Sequence, residues 1–411
     1  MKILRLVSLL LLISLANVGS AFAGRPLDAL YRADSLTIDA SCKGELRLKL
    51  DNMLFFRDNE YKGSLCKGYT LPGYWMAPAI SYQPLANLRV EAGVYMLHYW
   101  GARKYPNINY SGLPGTSDDN QSGFHCVPIF NATLRLCPGL NIIIGSLRGK
   151  SDHDLAEPLY NEELNYTADP EAGVQVVWDT RPFKIDTWIN WESFIFNDDD
   201  EQEKFTYGAT LLVRPSRQTA RTQWYIPFQA LFQHRGGEIN TEAADRQVRT
   251  WLNAAAGAGI NVPLRTKLPV SLNFEATAVY FNQLSGDALR FDNGHGFYIK
   301  AGTQISGFAL SAGYWQCHDF ISLLGNPHYG AVSLYDETLT LRNPSMITAH
   351  AEWMQTLAKG FSWGIHADLF GTLPCDVLNS DTQERTHKQT KLSSSFGVCF
   401  RLAPSFLLKR F

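Results

Sequence analysis

The residues best equipped for acid–base chemistry stand in two short stretches. His350 and Glu352 are two apart, as are His366 and Asp368, and in an extended chain that spacing puts both members of each pair on one face. An imidazole beside a carboxylate is part of the apparatus of a hydrolase, which also needs a nucleophile or an activated water. Neither stretch supplies a nucleophile motif, and a Gly-x-Ser-x-Gly elbow is absent from the chain. On residues alone the sequence therefore points away from an enzyme.

The densest polar cluster is elsewhere. The loop at 149–171, with Arg148 at its start, brings Arg148, Lys150, Asp152, His153, Asp154, Glu157, Tyr160, Glu162 and Glu163 together. Such a segment either lies in solvent or folds into a pore and sets its size and charge selectivity; Pro158-Leu159-Tyr160 supplies apolar anchors for the second arrangement. His153, Asp154 and Glu157 are metal-ligating types, but their spacing fits no ligand signature, so neither a metal nor a cofactor is expected. Asp198, Asp199, Asp200, Glu201 and Glu203 form an acidic run that lacks the glycine and spacing of a calcium loop. His234-Arg235-Gly236-Gly237-Glu238 marks a strand end and a turn, and Gly257 and Gly259 lie in a strand-like run that is no phosphate loop.

The elements that carry these residues are strands. Phe183, Ile185, Thr187, Ile189 and Trp191 alternate with Lys184, Asp186, Trp188, Asn190 and Glu192, giving one face suited to lipid and one suited to water. The same alternation predicts sixteen strands near 45–57, 72–82, 87–100, 124–136, 140–148, 172–179, 183–196, 205–214, 222–234, 247–262, 268–282, 296–306, 308–320, 345–356, 360–371 and 391–402. Most have the length that crosses a bilayer at a tilt. Short turns alternate with long hydrophilic connections, the asymmetry of an outer-membrane barrel. The fold class is thus all-β: a transmembrane, up-and-down, antiparallel barrel of about sixteen strands occupying residues 45–411. Aromatics gather at both expected rims, Trp75, Tyr99, Trp100, Phe124, Phe194 and Phe196 at one and Trp178, Trp224, Trp353, Phe361 and Trp363 at the other. The inward positions include Lys184, Asp186, Asn190, Glu192, Arg249, Glu275, Lys300, His350, Glu352, His366 and Asp368. They mix both signs, which suits cross-strand pairing or a weakly selective pore.

Lys2 and Arg5, the apolar Leu6 to Val18 and Ala21-Phe22-Ala23 read as a signal peptide over 1–23, and residues 24–44 as a periplasmic lead-in. Thirty-seven basic against 39 acidic residues leave no footprint for nucleic acid. Of seven cysteines, Cys126 and Cys137 flank one strand and Cys42 and Cys66 belong to opposite ends, so free thiols are expected, with Cys42–Cys399 the one pairing that barrel closure allows. Pro404 lies between the last clear strand and Phe411, so that strand is bulged there or stops near Leu402.

FFRDNEYKG with GYTLPGYW, then GVYMLHYWGARKYPN, GSLRGKSDHDLAEPLYNEELNYTADPEAGVQVVWDT, WINWESFIF and YIPFQALFQHRGGEI, resemble an uncharacterised, porin-like family of outer-membrane barrels from Bacteroidota. The resemblance implies location and fold and carries over no functional residue. The first expectation for function is passive or facilitated passage of small polar solutes through the Gram-negative outer membrane. The alternative is a closed barrel whose long loops hold surface polysaccharide or a partner protein, and third comes a barrel-embedded hydrolase. Expected partners are outer-membrane lipid and lipopolysaccharide, and the insertion machinery during biogenesis; the oligomeric state is left open.

Overall fold

The computed structural model describes residues 26–32, 38–102, 104–106, 120–122, 124–196, 202–217, 219–237, 247–266, 268–334, 336 and 338–411. The strands in chain order are β1 (Glu45–Glu60), β2 (Tyr69–Leu85), β3 (Leu88–Tyr99), β4 (Lys104–Pro106), β5 (Asn120–Ser122), β6 (His125–Cys137), β7 (Leu140–Ser146), β8 (Ala172–Asp179), β9 (Phe183–Ser193), β10 (Lys204–Val213), β11 (Gln223–Arg235) and β12 (Arg249–Leu264). They continue as β13 (Val270–Ser285), β14 (Asn293–Ile305), β15 (Phe308–His318), β16 (Leu339–Arg342), β17 (Ser345–Ala358), β18 (Phe361–Thr372), β19 (Cys375–Asn379), β20 (Arg385–Lys388), β21 (Lys391–Leu402) and β22 (Ser405–Arg410). One sheet of 17 strands closes on itself, because β1 pairs with β2 on one side and with β21 and β22 on the other. As β21 and β22 are two halves of one interrupted strand, the barrel has the sixteen staves that the alternation predicts.

The interruption falls at Pro404, which cannot donate to the ladder. Its carbonyl instead accepts from Leu50 N at 3.0 Å, and pairing resumes at Lys49↔Ser405. The small sheets β4–β5 and β16–β19–β20 belong to the long connections.

Burial follows the alternation. Phe274, Ile299, Ile347 and Phe396 stand 49–53% exposed on the outer wall, whereas Trp251, Phe281 and Trp315 point inward and are fully buried. An apolar exterior on a closed ring of strands leaves no open edge, the condition for a sheet to cross lipid. Exposed rings mark both ends: Trp100, Phe124, Phe194 and Phe196 at the long-loop end, and Trp224, with the Trp353–Trp363 edge contact at 4.7 Å, at the other. Trp75 and Tyr99 depart from this pattern. Odd residues of β2 face inward, so the Trp75 ring is 8% exposed inside the barrel and its Nε1 donates to Asn165 O at 3.2 Å; Tyr99 likewise lies on the inward face of β3, buried edge-on to Phe55.

The lumen holds a second core. The segments 147–171 and 319–334 fold into it from the long-loop end, burying Leu159, Leu164, Phe320, Leu323, Leu324 and Tyr329 against Trp188, Leu231, Trp251, Phe281 and Trp315. From the short-turn end Leu27, Leu30 and Tyr31 enter and pack on Met53, Phe55 and Cys399. Leu27 N donates to Glu352 Oε1 at 3.2 Å, and Arg401 Nη1 donates to Leu30 O at 2.7 Å. Barrel width alone implies an aqueous lumen; here folded loops occupy its middle.

Candidate functional site

The polar cluster at 148–163 takes the inward arrangement and ties itself to the wall residue by residue. His153 lies between two carboxylates, Nδ1 donating to Asp186 at 2.8 Å and Nε2 to Glu171 at 2.9 Å, all three side chains at most 6% exposed. Its ring stacks on Trp188 at 3.4 Å. Trp188 in turn lies across Gly208, where a Cβ would come within 2.1 Å of the indole. Burial works against the charge on His153, but the Glu171 and Asp186 carboxylates outweigh it and push the imidazole up to about 10. Asp154 bridges Arg32 of the entering segment and Lys184 of β9, the latter at 2.6 Å. Glu157 takes Lys300 at 3.1 Å and Tyr329 at 2.7 Å. His153, Asp154 and Glu157 thus face three different parts of the lumen, and no cluster fit to hold a metal occurs among the described residues.

The remaining loop residues anchor the same fold. The Arg148 backbone exchanges two hydrogen bonds with the Gln175 side chain, and Asp152 O accepts from Lys184 Nζ at 3.3 Å. Lys150 lies between Trp75 and Tyr95, 5.7 and 5.4 Å from their ring centres; burial holds its amine down at about 8 against the pull of Asp169 and Glu171. Tyr160 is buried, with no hydrogen-bond partner for its hydroxyl.

On the wall, Asn190 accepts from Ala172 N at 2.8 Å, Glu192 from Thr206 at 2.5 Å and Glu275 from Tyr225 at 2.8 Å, while Arg249 occupies an inward position at the start of β12. The two stretches with which acid–base chemistry began do meet, as β17 and β18 pair with His350 opposite Asp368 and Glu352 opposite His366. His350 Nδ1 bonds Asp368, and its Nε2 bonds Glu352 at 2.7 Å. Arg57, 2% exposed, reaches Asp368 at 3.4 Å and Glu163 of the loop at 3.5 Å. With a carboxylate on each nitrogen, His350 has no atom left to take a proton from water or a hydroxyl. His366 makes no hydrogen bond, but it is 2% exposed and sealed beneath Gly397, where a Cβ would lie 2.4 Å from Nε2. His153 and His350 are struts, the first between loop and wall and the second between strands.

The outer wall offers a different arrangement, which the sequence analysis took only as a strand end. His234 of β11 faces outward near the long-loop rim, and its Nδ1 meets Thr250 Oγ1 of β12 at 2.9 Å. The Phe205 ring stacks on the imidazole at 4.7 Å, and Trp191 stacks on Phe205 at 5.3 Å. No local motif reveals this group; each member comes from a different strand. Asp198 to Glu201 of the acidic run and Glu238 lie outside the described residues.

Among solved structures the chain is similar to OmpT of Vibrio cholerae (9% identity, TM-score 0.45, covering 90% of this chain and 100% of that one). It is also similar to OccAB1 of Acinetobacter baumannii (8%, 0.48, 91% and 99%) and to OprD of Pseudomonas aeruginosa (9%, 0.44, 88% and 94%). Likeness at this level says nothing about activity. No curated sequence matches. A family model described as "Lipid A 3'-O-deacylase-type" matches residues 38–411, the whole of the barrel. That match overturns the expectation of a non-enzyme: local motif reading failed because a barrel brings residues together through register across strands, with no nucleophile signature along any one of them. The chain belongs to the lipid A 3'-O-deacylase-type family.

Proposed function

We propose that this protein is an outer-membrane hydrolase that removes an ester-linked acyl chain from a phosphorylated sugar lipid of the outer leaflet. The observation that carries the reading is the family match over residues 38–411, which spans every stave of the barrel. The filled lumen agrees with it. A catalyst for a lipid needs access from the membrane at the head-group level, and the loops at 147–171 and 319–334 can rigidify such a scaffold at no cost to its chemistry.

Passage of small polar solutes, the function that barrel width suggests, has less support. A solute would have to run past the buried cluster of Leu159, Leu323, Leu324 and Tyr329 and the ion pairs of Asp154 and Glu157. The two readings part in one experiment. Refolded protein in mixed micelles with purified lipid A is expected to release free fatty acid and leave lipid lighter by one acyl chain on mass spectrometry. Intact lipid after prolonged incubation with folded protein, with and without divalent cations, would refute the hydrolase.

A further inference from the structure

Resting on the reading as an acyl-ester hydrolase, we propose that the reaction is run on the outer wall by His234, held in place by Thr250, beside an acyl-chain platform made by Phe205 and Trp191. The ladder register makes these four residues one row across β9 to β12: Trp191 pairs with Phe205, Phe205 with His234, and His234 with Thr250. Directly paired residues project from the same face of a sheet. That face is the outer one, since Trp191 is 40% exposed and the same-face neighbours Tyr207 and Phe228 are 39% and 46% exposed. The row also lies within two residues of the ends of all four strands on the long-loop side, at Ser193, Lys204, Arg235 and Arg249. In an outer-membrane barrel that is the level of the outer interface, where acyl chains meet head groups.

The chemistry follows from the two nitrogens. His234 Nδ1 is tied to Thr250 Oγ1 at 2.9 Å, and no hydrogen bond to Nε2 is made by any described residue. With Nδ1–H donating to the hydroxyl, Nε2 carries the lone pair, the form of imidazole that acts as a general base. Of the other imidazoles, His387 alone shares this combination, with Nδ1 on Asp376 at 2.8 Å, but it stands 58% exposed on the β19–β20 hairpin with no aromatic ring stacked on it among the described residues. His153 and His350 have both nitrogens on carboxylates, His366 is sealed inside, and His318, four staves further round the rim, is met by Asn343 at 2.6 Å and Asp319 at 3.4 Å. The near-parallel Trp191 and Phe205 rings, tilted 27° to each other, offer a flat apolar surface leading to the imidazole. A chain lying on them presents its ester end to His234.

Water is the second reactant. His234 Nε2 takes a proton from water as the water oxygen bonds to the ester carbonyl carbon. The tetrahedral intermediate then collapses with cleavage of the carbon–alkoxide bond, and the imidazolium returns its proton to the leaving oxygen. One ester and one water give one fatty acid and one alcohol, with no change of oxidation state. Thr250 is a positioning residue that fixes the tautomer and the ring.

The test is deacylation of lipid A in mixed micelles, with folding checked by heat-modifiable migration on gels. His234→Gln should lower kcat by about 100-fold or more, the usual contribution of a general base. Thr250→Val should lower it about tenfold, the order of one hydrogen bond, and Thr250→Ser should restore it. Trp191→Ala should raise KM for long-chain esters with kcat kept, and His318→Gln should change nothing. If His234→Gln does not fold, His234→Phe, which keeps the stack on Phe205, carries the same test. A folded His234 variant with wild-type turnover overturns the site while leaving the proposed function standing. Wild-type protein inert on every acyl ester overturns both. A Thr250→Ser variant as slow as Thr250→Val overturns the positioning role.

Discussion

Replacing His153 by Leu tests whether the inward loop is locked by charge. The imidazole stands between Asp186 and Glu171, both nearly sealed from solvent, so the variant leaves two buried carboxylates facing an apolar side chain. Raising the imidazole from 6.5 to about 10 corresponds to roughly 5 kcal/mol between its protonation states. Breaking a buried ion pair typically costs about 3–5 kcal/mol. Both routes put the loss at about 3–5 kcal/mol, or a population of released loop roughly 150- to 5,000-fold larger. Hydrogen–deuterium exchange reads this directly at Leu159 and Tyr160, whose amides bond Ala156 O at 2.7 and 2.9 Å. The sign of the pH dependence is fixed as well. A pKa raised on folding contributes fully below the unfolded value near 6.5 and is lost as pH rises through about 10. Protection of 150–165 should therefore decline on alkalinisation in the wild type and be flat in His153→Leu. Exchange in the variant within threefold of wild type would refute the lock.

Other expectations follow from the same loops. Burial holds His328 neutral, down at about 3, so the 319–334 plug should weaken as pH falls below 6.5 toward 3; His328→Phe should abolish that acid sensitivity in exchange measurements on residues 320–332. Planar-bilayer recordings of the intact protein should show conductance far below that of an open sixteen-stranded pore, and deleting residues 320–333 should raise it; equal traces would mean that the loops do not obstruct the lumen. All seven cysteines are free, so maleimide should label exposed Cys126 and Cys137 in micelles, while buried Cys66, Cys317 and Cys399 should react only after unfolding. Arg57→Met should destabilise the barrel by about 3–5 kcal/mol in urea titration, because Asp368 and Glu163 lose a buried partner.

Strand positions were legible because a two-residue period survives wherever one face meets lipid and the other does not. Boundaries agreed to within a few residues, and the break at Pro404 followed from its missing N–H. The inward fold of 148–163 was visible as one of two arrangements; its partners were not, since Asp186, Gln229, Tyr298 and Lys300 reach the loop only once the ring is closed. Trp75 was misplaced for a related reason. A rim aromatic and a lumenal one have the same sequence context, and only the parity of β2 against the 165 carbonyl separates them. His350 and Asp368 were read as sharing a face, but which nitrogen each carboxylate takes depends on a cross-strand register that no single strand encodes. The row Trp191, Phe205, His234, Thr250 is spread over 60 positions of chain and emerges only from three consecutive pairings.

The central claim, that this barrel hydrolyses an acyl ester at its outer wall and does not serve as a pore, is met most directly by mass spectrometry of lipid A recovered after incubation with the refolded protein. The account predicts a product lighter by one acyl chain, an equimolar free fatty acid, and loss of both with His234→Gln. Unchanged lipid alongside large, steady ion conductance from the same preparation would contradict it.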